Sequence, residues 1–414
     1  MRPFSMMRGA TLLLASVLLW APAGARNDSR SNGGRTDGQG APTKARPDVD
    51  QRAYMHGIGA AAGPGDITYV FFSSSGLPPR GPDRNRNWSH DIYVAEWKPE
   101  QANLGKPRLL IAEKEAQEPV SVAQSAGGRI MLTFEDGANT ANSVSQRYRV
   151  YGADLQPRQA KSIDVWSGGH SGHVAAVGDT FVVFYSDDWI DGGGVENLGT
   201  GNGVYLKTYD VNGQLLRSTD VARDKREWWP LIAGSKEIAL LAWQEFIPGE
   251  KHARLKTAIY RPDDSALIGT HVLNEKLKYY TYGTAYVPAL NSFLVVGTSD
   301  SGMGFAHLLN TAGKVTASLP CMPASVREAG ITVVGDMAYT PGQDGRLLHL
   351  KLSAETIALR GSQPSPIPWT YQGSLGLVRS PLVLHWVSLT PGGLREANFD
   401  LSQAVPPSPA DLCR

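Results

Sequence analysis

The hydrophobic pattern of this chain repeats seven times. Each copy begins with a polar or aromatic residue. A strand of small apolar residues, a turn, and a second strand with a polar end then follow. The copies start at His56, Glu118, His170, Trp228, Tyr282, Glu328 and Tyr371, spaced by 43 to 62 residues. Two further strand-like pieces follow each hairpin, for example "GVYLKTYDV" and "QLLRSTDV". Seven units of four short strands predict an all-β chain that forms a single seven-bladed β-propeller of four-stranded blades. Two sandwich domains are the alternative, but they do not explain the recurrence.

The composition of the strands agrees with this fold. Second strands such as "EIALLAW" and "TFVVFY" are apolar at almost every position, as expected for strands covered on both faces. After Tyr371 only three strands are recognisable, so the ring lacks one outer strand. We expect the segment "DQRAYM", just before His56, to supply it and close a propeller of residues 51–401.

The remaining segments lie outside the propeller. Residues 1–25 combine early arginines, the apolar run "TLLLASVLLW" and an A-x-A end, which predicts a cleaved signal peptide and a secreted or periplasmic protein. A membrane anchor is the alternative, but the run of about ten apolar residues is too short to span a bilayer. Residues 26–50 hold almost no large apolar side chain and predict a flexible leader, and residues 402–414 form a C-terminal tail.

Charge and cysteine content restrict the partners. A formal net charge of +1 gives no strong field for nucleic acid or an anionic membrane, and we expect a monomer. The only cysteines are Cys321 and Cys413. In an exported chain we expect them to form a disulfide that ties the tail to the body, with two unpaired thiols as the alternative.

The repeat also predicts which residues share one mouth of the central channel. In each hairpin about seventeen residues separate the start of the first strand from the polar end of the second, so both lie at the same end. We therefore expect a rim of ligand-binding residues at His56, Glu118, Trp228, Tyr282, Glu328, Tyr371 and Asp300. A ring of acids stands beside them: Glu135, Asp136, Asp187, Asp188, Glu245, Asp300 and Asp344.

Aromatic faces beside carboxylates and histidines suit a carbohydrate or another small polar ligand. Paired carboxylates can cleave a glycosidic bond, and Glu118 with Glu135 or Asp187 with Glu245 could form such a pair. We take Glu245, Asp187, Glu135 and His170 as the catalytic candidates. The structural alternative is that these acids cap turns at strand ends.

The histidines allow a second chemistry. His170 and His173 are three residues apart, which on a regular strand places them on opposite faces. A histidine with Tyr280 or Tyr282 could act as base and acid of a polysaccharide lyase, with Arg226, Arg327 or Lys225 as the cation for a uronate. The ring of acids argues against a polyanionic substrate.

No cofactor is expected. A metal site of His56, His170 and His173 has no supporting ligand spacing. The loop "DDWIDGGGVENLGTGNG" carries many oxygen ligands, which makes calcium the alternative to an ion-free turn loop.

The layout of residues 52 to 400 resembles the sialidase-like, BNR-repeat propellers, a group of secreted glycan-active and glycan-binding proteins. One segment, "TSDSGMGF" at Thr298–Phe305, fits their Asp-box pattern S/T-x-D-x-G-x-x-W/F, although it follows a second strand rather than a third. The resemblance implies a scaffold and a substrate class, whereas the reaction depends on the site. Three functions stay open: a propeller that binds and cleaves a glycan, a non-catalytic envelope scaffold for another protein, and a lyase.

Overall fold

The computed structural model describes residues 52–77, 90–137, 144–187, 203–223, 226–343, 345–369, 373–390 and 393–408. Residues 48–414 form one compact unit. The signal peptide and leader predicted for residues 1–50 lie outside the described residues. Within the described residues, no helix has the length and apolar character needed to cross a membrane.

The prediction of an all-β chain is confirmed, because the described residues form antiparallel sheets and only two short 3-10 helices, Pro288–Leu290 and Leu401–Gln403. The first sheet contains β1 (Tyr54–Ala62), β2 (Thr68–Ser74), β3 (Asp91–Trp97) and β4 (Arg108–Ile111). The second contains β5 (Gln117–Gln124), β6 (Ile130–Asp136), β7 (Ser145–Tyr151) and β8 (Ile163–Ser167). The third contains β9 (His170–Val177), β10 (Thr180–Ser186), β11 (Val204–Tyr209) and β12 (Leu215–Ala222).

The next sheet has seven strands: β13 (Glu227–Gly234), β14 (Ala239–Phe246), β15 (Ala253–Arg261), β16 (Ala266–Val287), β17 (Ser292–Ser299), β18 (Gly304–Leu309) and β19 (Val315–Met322). The fifth sheet contains β20 (Thr332–Val334), β21 (Met337–Pro341), β22 (Arg346–Leu352) and β23 (Ile357–Pro364). The last contains β24 (Ser374–Ser380), β25 (Val383–Thr390) and β26 (Gly393–Asp400).

The strands that begin each repeat lie side by side in a closed circle. β1 contacts β5, and contacts continue through β9, β13, β16, β20 and β24 back to β1. The long strand β16 pairs with two other strands: residues 266–277 pair with β15, and residues 282–287 pair with β17. Because β16 is continuous, the described residues contain six sheets rather than seven, and the count of seven blades stays a prediction.

The second strand of each hairpin supplies the core. All seven residues of β6 are buried, and so are seven of the eight residues of β14. Phe134, Phe184 and Trp243 are fully buried between neighbouring sheets. Burial of one such side chain stabilises the fold by about 1.5–3 kcal/mol, which explains why these strands are apolar at consecutive positions.

The predicted closing strand is wrong. Within "DQRAYM", Tyr54 belongs to β1 and pairs with Ser74 of β2, while the Ala53 N–H donates to the Leu77 carbonyl. The segment therefore lengthens the first hairpin, and the last sheet keeps three strands in the part of the chain that is described. The tail instead returns to β23, where Val405 and Ser362 form an isolated bridge.

The disulfide stays a prediction. Cys321 is buried near the end of β19, whereas Cys413 lies outside the described residues.

Candidate functional site

The entry of the first strands has a backbone conformation that few side chains adopt. Ser171, Trp229, Tyr280 and Glu328 have φ values of 52°, 56°, 66° and 60°. A non-glycine residue in this left-handed region costs about 1–2 kcal/mol, and such strain concentrates at functional sites. In two other repeats the same entry region contains a glycine with a positive φ, namely Gly57 and Gly373.

These entries are also where strand pairing is interrupted. The register shifts between Tyr54 and Ile58, between Glu118 and Ser121, between Trp228 and Leu231, and between Leu277 and Tyr282. An inserted residue re-aims the side chains around it, as bulges do next to active sites. The bulges therefore bring polar and aromatic side chains from different sheets together at one mouth.

Glu328 lies at the centre of the first cluster. Its Oε2 is 3.1 Å from His56 Nδ1 and 3.8 Å from His173 Nε2, and its Oε1 is 3.5 Å from Arg327 Nε. Burial by itself would raise the pKa of Glu328, but His56, His173 and Arg327 together hold it well below the ordinary value. Glu328 is therefore a buried, ionised carboxylate.

Glu135 has the opposite character. Burial, together with the carboxylates of Glu118 and Glu328, raises the pKa of Glu135 well above the ordinary value, although the Ser171 N–H opposes this by donating to Oε1 at 2.6 Å. Its Oε2 is 3.5 Å from His170 Nε2. The surroundings of Glu135 therefore favour its protonated, neutral form.

His170 is held neutral beside it. Burial, with a contribution from His56, lowers the pKa of His170 from 6.5 to about 3. Its Nδ1 is hydrogen-bonded to Ser171 Oγ. The two ring nitrogens of His170 thus face Ser171 Oγ and Glu135 Oε2.

The expected placement of His170 and His173 on opposite faces is wrong. His173 reaches Glu328, and His170 interacts electrostatically with His173, His56 and Glu328. The left-handed residue Ser171 between them breaks the alternation of a regular strand, which turns both rings toward one cluster.

The predicted pair Glu118 and Glu135 is brought together. The two residues pair directly in the register of β5 and β6, and both are buried. His90 Nδ1 lies 3.6 Å from Glu118 Oε2. Glu118 thus lies next to His90, and Glu135 lies next to His170.

An aromatic cluster forms the opposite side of the mouth. The Trp229 ring centroid lies 5.8 Å from that of Trp228 and 4.6 Å from that of Tyr280. The guanidinium of Arg327 lies 4.9 Å from the Trp229 centroid and 5.5 Å from the Tyr280 centroid. Tyr282 is fully buried, and its hydroxyl donates to the Trp229 carbonyl. This hydrogen bond holds the backbone at Trp229 in its left-handed conformation.

A cavity of about 250 Å³ opens beside this cluster. Its wall includes Tyr280, Arg327, Gln343, Trp369 and Ser374. A second cavity of about 140 Å³ lies between the first strands and is bordered by His173 and Glu328. Glu328 and its partners therefore stand close to both spaces.

Two predicted catalytic acids are held by other partners. Glu245 is bound by Arg254 Nη1 at 2.8 Å and by Lys256 Nζ at 3.1 Å, on the third strand of its sheet. Asp187 accepts a hydrogen bond from the Gly203 N–H at 2.9 Å. The structure thus places Glu245 against two cations and Asp187 against a backbone N–H.

The other predicted rim residues differ in position. Trp228 packs against Tyr280, with ring centroids 5.1 Å apart, and lies 6.3 Å from His170. Asp300 is exposed and lies 3.6 Å from His252 Nδ1. Asp136 is paired with Arg147 at 2.8 Å. Three of the predicted residues, Tyr371, Asp188 and Asp344, lie outside the described residues.

Among the described residues, which include His56, His170 and His173, there is no group of three or more His, Cys, Asp or Glu side chains that could hold a metal ion. The expectation of no cofactor stays a prediction. The loop considered for calcium lies almost entirely in residues 188–202, outside the described residues.

Two residues of the site escape the repeat pattern, since Ser171 and Trp229 each follow a predicted start residue by one position. Arg327, which was predicted as a possible cation for a uronate, precedes a start residue. Their positions next to the repeat starts could have identified them as site residues. The direction of their side chains depends on the bulge, which the sequence pattern does not predict.

The sequence matches no protein-family model and no curated protein. Among solved structures, the chain is similar to a Hadza microbial sialidase, Hz136, at 9% identity and a TM-score of 0.50, covering 85% of this chain and 66% of the sialidase chain. It is also similar to an alpha-L-arabinanase of Penicillium chrysogenum complexed with arabinobiose, at 11% identity and a TM-score of 0.48, over 86% of this chain and 98% of that one. The Dos1 propeller gives 11% identity and a TM-score of 0.47, over 84% of each chain. At these identities the resemblance to sialidase-like propellers is one of structure alone.

Proposed function

We propose that this chain is an exported, seven-bladed β-propeller that binds a glycan at the channel mouth and cleaves it with the acid–histidine cluster. The closed circle of seven first strands supports seven blades, with β16 shared by two of them. Export rests on the pattern of residues 1–25. The mouth cavity supports glycan binding because Trp369, Tyr279 and Tyr280 line it, and aromatic rings can pack against the C–H side of a sugar ring.

One observation carries the assignment of cleavage. Within a single buried cluster, Glu135 is driven to the neutral form and Glu328 to the ionised form. Pairs of titratable groups whose pKa values are pushed apart mark the acid and base of an active site. Hydrolysis of a glycosidic bond requires such a pair.

Glu135, His56 and Glu328 can hydrolyse a glycosidic bond in the following steps. Glu135 donates its proton to the glycosidic oxygen as the bond from that oxygen to the anomeric carbon breaks. A water oxygen forms the new bond to this carbon, and its proton passes to His56, whose Nδ1 is oriented by Glu328. Return of the proton from His56 to Glu135 through solvent restores the starting state.

The test is a cleavage assay of the purified protein on a panel of polysaccharides. New reducing ends without an ultraviolet-absorbing unsaturated product indicate hydrolysis. We expect Glu135→Gln to lower the rate by at least about 100-fold, the usual contribution of a general acid. The matched control is Glu237→Gln, since Glu237 is exposed.

Two outcomes would contradict the proposal. One is a wild-type protein that neither binds nor cleaves any polysaccharide of the panel, which would favour the protein-interaction scaffold. The other is a folded Glu135→Gln variant that cleaves as fast as the parent.

A polysaccharide lyase is the second candidate, and Tyr280 favours it. Burial raises the pKa of Tyr280, so its hydroxyl keeps a proton to donate, and the cation Arg327 lies beside it. In this reaction a histidine removes a C–H proton next to the sugar carboxylate. The neighbouring C–O bond breaks, its oxygen takes the tyrosine proton, and a C=C bond forms. An unsaturated product in the same assay would identify it.

A further inference from the structure

We infer that Gln146 is a positioning residue for the acid of the proposed reaction. Its side chain holds the turn at Ser171 and Gly172, and this turn presents a backbone N–H to Glu135. The inference rests on the proposed function, namely that Glu135 protonates a glycosidic oxygen at the mouth. It adds to that site a residue that lies outside both the repeat starts and the ring of acids.

The turn at Ser171 and Gly172 interrupts the pairing of β9 with β10. At this point two residues of β9 stand opposite the single residue Tyr185 of β10, which is the arrangement of a β-bulge. Both turn residues are buried. A buried backbone N–H or C=O group is almost always paired, so the groups that lose their strand partner at the bulge need another one.

Gln146 of β7 supplies these partners to Gly172. Its Oε1 accepts a hydrogen bond from the Gly172 N–H at 2.8 Å, and its Nε2 donates to the Gly172 carbonyl at 3.4 Å. The Thr133 hydroxyl donates to the same carbonyl at 3.2 Å. A carboxamide carries both an acceptor and donors, so one glutamine can bind the two backbone groups of one residue. Gln146 thus takes the place of a strand partner at the bulge.

The turn that Gln146 holds is bonded to the proposed acid. The Ser171 N–H donates to Glu135 Oε1 at 2.6 Å. The Ser171 hydroxyl is hydrogen-bonded to Nδ1 of His170, whose Nε2 lies 3.5 Å from Glu135 Oε2. Gln146 stands directly opposite Glu135 in the register of β6 and β7, so the two side chains lie on the same face of their sheet. A movement of the turn would therefore change both contacts of Glu135.

The space around Gln146 lets its amide reach the turn. The residue is fully buried. A methyl group on Gly172 would lie 2.3 Å from Gln146 Cδ, and one on Gly169 would lie 2.9 Å from Gln146 Cβ. Both glycines belong to the segment "SGGHSGH", so their small size makes room for this side chain. A buried amide is costly unless it is hydrogen-bonded, and the bonds to Gly172 offset that cost.

Loss of this support would change the acid in one direction. Burial raises the pKa of Glu135, whereas the Ser171 N–H lowers it by donating to the carboxylate. A turn that is no longer held would weaken this donation, and the pKa of Glu135 would rise further. Because the proposed acid must carry its proton, cleavage falls as the pH rises through this pKa. The alkaline limb of the pH profile should therefore move to higher pH.

The experiment compares Gln146→Met with wild type in the full-length purified protein, on each polysaccharide that the wild type cleaves. Methionine is a flexible, unbranched side chain that fills the space without the amide. We expect kcat/KM to fall about 10- to 100-fold, because a displacement of about 1 Å can cost about 100-fold. We also expect the alkaline limb to move up by about one pH unit, the scale of one hydrogen bond to a carboxylate.

A second measurement does not depend on cleavage. Nitrogen-15 NMR of the histidine side chains reports the hydrogen bonds of the ring nitrogens, and His170→Gln identifies the signals of His170. In Gln146→Met these signals should shift, because the Ser171 hydroxyl is no longer held against Nδ1.

Gln159→Met is the matched control. Gln159 also joins the second and third sheets by backbone hydrogen bonds, since it accepts from the Val150 N–H at 2.7 Å and donates to the Asn212 carbonyl at 3.1 Å. These bonds lie at the opposite end of β7 from Gln146. Gln159→Met should therefore change neither the pH profile nor the His170 signals.

Gly172→Ala tests the same contact from the other side. The added methyl group would displace the Gln146 amide, so this variant should also lower kcat/KM and move the alkaline limb to higher pH. It provides the test if Gln146→Met does not fold. Circular dichroism and the melting temperature establish the folding of each variant.

The results separate the inference from the function on which it rests. A folded Gln146→Met variant with the wild-type pH profile and unchanged His170 signals would overturn the inference and leave the proposed function standing. A lower rate with an unmoved alkaline limb and unchanged His170 signals would also overturn it, because only a general structural role would remain. Absence of cleavage by the wild type would overturn the proposed function, whereas the His170 signals would still decide whether Gln146 holds the turn.

Discussion

Replacement of His170 by glutamine tests the buried cluster through its pH dependence. The groups that face His170 are Glu135, His56, His173 and Glu328. Burial, then His56, lower the pKa of His170 to about 3, and Glu328 opposes this change. The folded protein therefore keeps His170 neutral at pH values where the unfolded chain takes up a proton. The stability that follows is complete above pH 6.5 and is lost as the pH falls toward 3.

The magnitude follows from the shift. A change in pKa from 6.5 to about 3 corresponds to about 5 kcal/mol between these limits, and about 2 kcal/mol of it is lost by pH 5. Glu135 contributes with the opposite sign, because its raised pKa favours the folded state as the pH falls. The effect of His170 must therefore be read as a difference between two proteins rather than from the wild type alone.

The assay is urea unfolding of wild type and His170→Gln at about pH 7.5 and about pH 5. Glutamine cannot titrate, so the stability advantage of wild type over the variant should shrink by about 2 kcal/mol at the lower pH. His271→Gln is the control, because His271 is an exposed histidine outside the buried cluster. An advantage of equal size at both pH values would refute the buried neutral state of His170.

Three further substitutions test the strained mouth and its surroundings. Ser171→Gly should be more stable than Ser171→Ala by about 0.5–1 kcal/mol in urea unfolding, because both lose the hydroxyl and only glycine avoids the left-handed strain; equal stabilities would contradict this. Tyr282→Phe leaves the buried Trp229 carbonyl without its donor, so it should cost about 1–3 kcal/mol and lower the melting temperature, unlike Tyr286→Phe at an exposed hydrogen bond. Glu245→Gln should keep glycan cleavage and cost about 1–2 kcal/mol, because Glu245 anchors two cations; lost cleavage at an unchanged melting temperature would restore its catalytic role.

The all-β architecture could be predicted because it depends on patterns that are local in sequence. Continuous apolar runs such as those of β6 and β14 are buried on both faces, and the hairpin registers follow from their turns. The pairing of Glu118 with Glu135, predicted from the seventeen-residue spacing, is confirmed by the register of β5 and β6. The continuity of β16 through two groups of strands could not be predicted, because it depends on how residues 278–281 connect two neighbouring hairpins.

The direction of side chains at the mouth has a different origin. In a regular strand successive side chains point to alternate faces, so sequence spacing predicts the face of each residue. One residue in the left-handed conformation shifts this alternation by one position, and the residues after it then point to the opposite face from the one predicted. Ser171 does this between His170 and His173, and Trp229 does it after Trp228. Serine and tryptophan seldom adopt this conformation, so the residue type does not predict it. The surrounding contacts hold both residues in the left-handed conformation.

The charge of the mouth is decided by burial rather than by the number of acids near it. Counted along the sequence, acids dominate the strand ends, which argued against a polyanionic substrate. In the structure His56 and His173 lie against the ionised carboxylate of Glu328, and the surroundings of Glu135 favour its protonated form. Both carboxyl groups are buried, whereas the Arg327 guanidinium stacks on Trp229 and Tyr280 and its Nε lies 3.5 Å from Glu328 Oε1. Burial raises the pKa of Glu135, whereas His56, His173 and Arg327 hold the pKa of Glu328 below its ordinary value despite the same burial. The separation of the two pKa values, on which the proposed acid–base pair rests, therefore depends on the partners that each buried carboxyl group contacts.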